Sequence, residues 1–137
     1  MVLCLALFAE ARMGKPEAPC QIRSVDELFT LTGLPKENKS GLNWAIQALL
    51  YQVELLFFRV EEEGFSENEY FQGLNYLEKS LKKEPFQALA LPGVGSLPIL
   101  EKARMVCLKK KSLLIMNEED LYDCLTSFSS KARTGSS

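Results

Sequence analysis

Three stretches hold the side chains that could do chemistry. Glu61-Glu62-Glu63 closes an apolar run with three carboxylates, and Lys109-Lys110-Lys111 closes another with three ammonium groups. Between them, Pro92-Gly93-Val94-Gly95-Ser96 is a glycine-bearing turn. Carboxylates are ligands for hard cations. Consecutive residues cannot easily aim at one ion, however, and the acidic alternation of a calcium loop is absent. A glycine turn before a helix can offer amides to an anion. This one lacks the third glycine of a dinucleotide fingerprint and the Gly-Lys-Ser/Thr of a phosphate loop. Pro98 also removes one amide donor. The lysines suit a helix C-terminus, and three of them in a chain of net charge −2 are no nucleic-acid footprint.

The chain has no histidine among its 137 residues, so the commonest general base and metal ligand is missing. Ser24, Asp26 and Glu27 have no base beside them and are better explained as helix-capping residues. The cysteines are Cys4, Cys20, Cys107 and Cys124, with no C-x-x-C pair to suggest zinc or redox chemistry. Cys4, Cys107 and Cys124 adjoin apolar runs and are expected to be buried. Cys20, in a loop-like setting, is the one candidate for a reactive thiol. The expectation is no enzyme, no catalytic residues, no cofactor and no metal.

The elements that would position these groups follow from hydrophobic pattern. Apolar residues make up 47% and charged residues 25%, a globular composition. Strands are expected at Val2 to Ala9, Leu55 to Val60, Phe86 to Leu91 and Leu113 to Met116, with a short extended piece at Cys20 to Arg23. Helices are expected at Val25 to Leu31, Leu42 to Val53, from Ser66 up to Pro85, from Pro98 to Lys111, and Glu118 to Phe128. Ser24 with Glu27 and Ser66 with Glu69 form the capping-box pattern. Trp44 and Tyr51 share a helical face and serve as core or interface anchors. Glu61 to Gly64 is expected to be a surface turn.

Strands and helices alternate, and the strands are continuously apolar, which is the pattern of a sheet covered on both faces. The expected fold is α/β: a three-layer sandwich with a mostly parallel sheet flanked by helices. Residues 1–128 would form a single domain and residues 129–137 a disordered polar tail. No run is long and apolar enough for a membrane span. The N-terminal apolar stretch lacks the preceding positive charge of a signal peptide.

Several strings in order resemble the N-terminal α/β part of contractile tail sheath proteins, which form the sheaths of contractile phages and injection systems. The strings are Ala6 through Pro16, Ala18 through Phe29 followed by Thr32-Gly33, and Leu50 through Val60. Gly73 through Glu78, Ala88 through Gly93, and Ala103 through Met116 complete the series. The family strand that corresponds to Leu113-Leu114-Ile115-Met116 ends in Asp, where this chain has Asn117. The C-terminal tube-packing domain and the strand-donating arms of sheath subunits are not found in this sequence.

The resemblance implies a structural or assembly protein, a minimal sheath-like domain that docks on a contractile tail or injection apparatus. Its partners would be proteins, either other copies or sheath and tail components, and no nucleic acid. Its location would be cytoplasmic or virion-associated. Glu61, Glu62 and Glu63, with Lys109, Lys110 and Lys111, are the expected interface residues, acting as electrostatic guides. The alternative is a small-molecule or nucleotide-binding regulatory α/β domain that uses the Pro92 to Ser96 turn.

Overall fold

The computed structural model describes residues 3–12, 19–33, 40–80 and 86–135. Expectations that fall on residues 1–2, 13–18, 34–39, 81–85 and 136–137, among them the start of the first strand and the end of the polar tail, lie outside them. Among the described residues the element order is β1 (Cys4–Glu10), β2 (Cys20–Ile22), α1 (Val25–Thr32), α2 (Gly41–Leu50), β3 (Glu54–Val60), α3 (Glu67–Lys79), β4 (Ala88–Ala90), α4 (Leu97–Lys110), β5 (Leu113–Ile115) and α5 (Glu118–Gly135).

The strands form one sheet in the order β2-β3-β1-β4-β5. β1 pairs in parallel with β3 and β4, β4 in parallel with β5, and only β2 runs antiparallel, on the outside of β3. The chain therefore starts in the centre, moves out to β3, then returns across β1 to β4 and β5. Leu5, Leu7 and Ala9 of β1 point to one face, where they pack with residues of α1, α2 and α5. Ala6 and Phe8 point to the other, with residues of α3 and α4. Reversing direction along a sheet while keeping one crossover hand requires this change of face. The α/β sandwich with a mostly parallel sheet is thus what the chain forms.

Central burial explains why β1 carries no polar alternation: every residue from Leu5 to Ala11 is buried. In the α3–α4 layer, Phe8 stacks on its strand neighbour Phe58 at 4.4 Å and 5°, and on Tyr70 of α3 at 5.5 Å. Gly73 makes this possible, since a Cβ there would collide with the Phe8 ring. Offset aromatic pairs add about 0.5–1.5 kcal/mol each beyond their buried area.

Helix ends account for most departures from the expected boundaries. Ser24 caps α1 as expected, its Oγ accepting the Glu27 N–H at 3.1 Å, and Asn117 Oδ1 caps α5 through the Asp120 N–H at 2.8 Å. The box expected at Ser66 does not form. Ser66 Oγ instead accepts the Glu62 N–H at 2.8 Å, and Glu69 Oε1 accepts the Glu61 N–H at 2.7 Å, so both side chains tie down the preceding turn. α2 stops at Leu50, short of Val53. Gln52 turns left-handed at φ 63°, and Val53 N–H reaches back to the Ala48 carbonyl at 3.0 Å. The same closure ends α4: Lys111 has φ 57° and Ser112 N–H meets the Cys107 carbonyl at 2.9 Å. α5 runs further than its expected bound. Its backbone is helical through Gly135, beyond the expected end at Phe128.

Candidate functional site

In a sheet wound both ways, ligands usually bind beyond the carboxyl ends of the strands, where neighbouring connections leave toward opposite faces. Here that place lies beside the end of β1. The connection from β1 to β3 places α1 and α2 on one face, while β3 and β4 lead to α3 and α4 on the other. The residues that meet there are Glu10, Ser40, Gly41 and Glu63.

The two glutamates clasp each other's backbone. Glu63 N–H donates to Glu10 Oε1 at 3.0 Å, and Glu10 N–H donates to Glu63 Oε1 at 3.3 Å. Glu63 also accepts from Gly41 N–H at 3.1 Å and, through Oε2, from Ser40 N–H at 3.2 Å. Its carboxylate thus sits at the N-terminus of α2, where a bound anion would otherwise find free amides. Gly41 is required by this packing: a Cβ there would strike both Ala9 Cβ and Glu63 Oε1. Burial lifts the Glu63 carboxyl above its ordinary value of 4.5, against the pull of the amides of Glu10, Ser40 and Gly41. The nearby Glu10 charge adds a smaller push upward.

Glu63 therefore corrects the expectation of an exposed charged turn, since its residue exposure is only 6%. Glu61 and Glu62 do lie on the surface. The same turn is closed by Gly64 at φ 90°, whose N–H donates to the Tyr70 hydroxyl at 2.8 Å, and a Cβ on Gly64 would meet the Gly93 carbonyl oxygen. Burial pushes the Tyr70 hydroxyl upward, so it stays neutral.

The Pro92 to Ser96 turn lies beside this rim and leads into α4. Val94 N–H is engaged with the Leu91 carbonyl, and Ser96 Oγ donates to Glu67 Oε1 at 3.0 Å. A carboxylate already at the mouth of α4 opposes an incoming anion. Glu61, Phe65, Ser66, Glu67, Asn68 and Glu69 line an open groove of about 500 Å³ at the start of α3. Phe65 stands 71% exposed on its wall.

The lysines lie at the other end of the sheet. Strands β1, β3, β4 and β5 run one way, and α3 and α4 run back, so both helices end where the strands begin. Lys79, Lys109 and Lys111 are exposed there, while Lys110 Nζ donates to the Ser80 carbonyl at 2.8 Å. The two expected interface clusters are thus at opposite ends of the molecule and do not meet within one chain.

Cys20 lies in β2, paired with Phe57 and packed against the core, not in a loop. Cys107 and Cys124 are buried as expected, whereas Cys4 and Cys20 are half-buried. Burial pushes the Cys107 thiol up to about 11, which keeps it a weak nucleophile at neutral pH. Trp44 is buried in the core, while Tyr51 is 38% exposed at the end of α2. Among the described residues no group of His, Cys, Asp and Glu could hold a metal ion, and no helix is long and apolar enough to cross a membrane. Sequence reasoning missed the Glu10–Glu63 clasp. The available signal was Glu10 itself, a charge that ends the otherwise apolar central strand.

No protein-family model, curated protein or solved structure matches the chain.

Proposed function

We propose that this chain is a non-catalytic assembly domain that acts by docking on other proteins, either further copies of itself or components of a contractile, sheath-bearing apparatus. The observation that carries the reading is the separation of charge along the strand direction. Glu61 and Glu62, with Glu67 and Glu69 at the start of α3, make one end acidic. Lys79, Lys109 and Lys111 make the other basic. One copy's acidic end fits the next copy's basic end, a head-to-tail contact that repeats into rings or open polymers. The sheath setting draws its support from the ordered strings in the sequence, and a cytoplasmic or virion-associated location is proposed with it.

The crevice supports the same reading. The strongest anion position, the N-terminus of α2, is filled by Glu63, and Glu67 stands at the N-terminus of α4. A nucleotide-binding role therefore draws less support.

Light scattering on a size-exclusion column tests the proposal. Species heavier than the 15.4 kDa chain that grow with protein concentration and dissolve with added salt are expected. A 15.4 kDa species at every concentration and salt overturns self-assembly through the charged ends.

A further inference from the structure

α4 is apolar on two opposite sides. Ile99, Ala103, Val106 and Cys107 face the core. Leu97, Met105 and Leu108 face outward, with exposures of 69%, 61% and 75%. A helix apolar on both sides is ordinarily covered on both, and here the outward apolar residues flank a charged middle of Glu101 and Arg104.

The outward residues fall in register. At 3.6 residues per turn, Leu97, Glu101, Arg104 and Leu108 line up at spacings of four, three and four, with Met105 alongside. That is the seam spacing of two packed helices. Glu101 and Arg104 are both exposed and occupy the middle of the seam. The pair that holds α4 to its neighbour uses another residue, Lys102, whose Nζ lies 3.0 Å from Glu78 Oε1 of α3.

The charges decide what fits. A parallel pair would set glutamate against glutamate and arginine against arginine. An antiparallel pair centred between Lys102 and Ala103 sets Leu97 against Leu108 and Glu101 against Arg104, twice each. The stripe is thus complementary to itself about a two-fold axis, as a closed dimer contact must be. We propose that the outer face of α4 docks, antiparallel, on α4 of a second copy of this chain. This surface goes beyond the charged ends and uses other residues, so it stands or falls separately from them.

The 14-residue helix is about 21 Å long. One such pair is near the lower end of interface sizes, so the dimer is expected to be weak and concentration-dependent.

Sedimentation of the full chain from about 5 µM to about 1 mM is the test. With the charged ends screened by moderate salt, a monomer that converts to a dimer and grows no further is expected. Glu101→Arg and Arg104→Glu should each weaken the dimer by about tenfold or more, because each places like charges opposite one another twice. An equimolar mixture of the two variants should regain it, because every contact in the mixed pair is then between opposite charges. Both positions are exposed, and matching circular dichroism melts establish that the variants fold. A monomer at every concentration overturns the proposal. A dimer indifferent to both substitutions also overturns it and moves the contact to another face. Salt-sensitive polymers that persist in both variants, with no dimer in moderate salt, overturn this proposal while leaving the head-to-tail reading intact.

Discussion

Glu63 stays buried because backbone amides surround its carboxylate, and that arrangement makes specific demands. Glu63→Gln replaces one acceptor oxygen by an NH2 group that faces the N–H of Gly41, Ser40 or Glu10. Two donors then meet, and a loss of about 1–3 kcal/mol in urea unfolding is expected. The pH dependence has a definite sign. The folded-state value lies above the ordinary 4.5, so the folded chain holds this proton more tightly than the unfolded one. The associated stability is fully present below about 4.5 and is lost as pH rises through the folded-state value. Urea midpoints of the wild type should fall across that window, and Glu63→Gln should show a flatter profile. Gly41→Ala tests the same clasp from the other side. The added methyl group meets Ala9 and Glu63, and a loss of about 1–3 kcal/mol in thermal unfolding is expected.

At the scale of elements, α2 and α4 end in the same motif without glycine. Gln52 and Lys111 each adopt the left-handed conformation, so that the following N–H can reach a carbonyl five residues back. A side chain there costs about 1–2 kcal/mol, and glycine's extra freedom in the unfolded chain offsets about 0.5–1 kcal/mol of the benefit of removing it. Gln52→Gly should therefore stabilise the fold by about 0.5–1 kcal/mol, seen as a higher urea midpoint. This also explains why the boundary at Val53 was misplaced: Trp44, Ala45, Ala48 and Leu49 carry helical spacing up to the closure, and nothing in the type of residue 52 announces the turn. Ser66 shows the converse. Its capping-box partner Glu69 is present, yet both side chains bind the amides of Glu61 and Glu62, because the turn after β3 brings those donors within reach.

For the whole molecule, winding direction places the acidic and basic clusters at opposite ends. β3 delivers Glu61 and Glu62 to one end, and α4, running back, delivers Lys109 and Lys111 to the other. Glu61→Lys with Glu62→Lys should weaken head-to-tail association by about tenfold or more in light scattering. Adding Lys109→Glu and Lys111→Glu to that variant should restore it, since the ends are then complementary again with reversed polarity. Unchanged association in the first variant would rule out the charged ends as guides.

The α/β class, the sheet strands and most helix starts were legible along the chain, because periodicity and capping act between residues a few positions apart. Val2 to Ala9 is apolar without alternation, and a strand covered on both faces is what such a run requires. Ser24 and Asn117 cap as their types suggest. The clasp was not legible, because Glu10 and Glu63 are distant in sequence and meet only when β1 and β3 align in register from Cys4 with Glu54 to Glu10 with Val60. The residue types at 61, 62 and 63 are identical, so composition could not separate two solvated carboxylates from one that fills a helix N-terminus. That distinction depends on which side of the turn each side chain leaves, a property of the assembled sheet and not of local sequence.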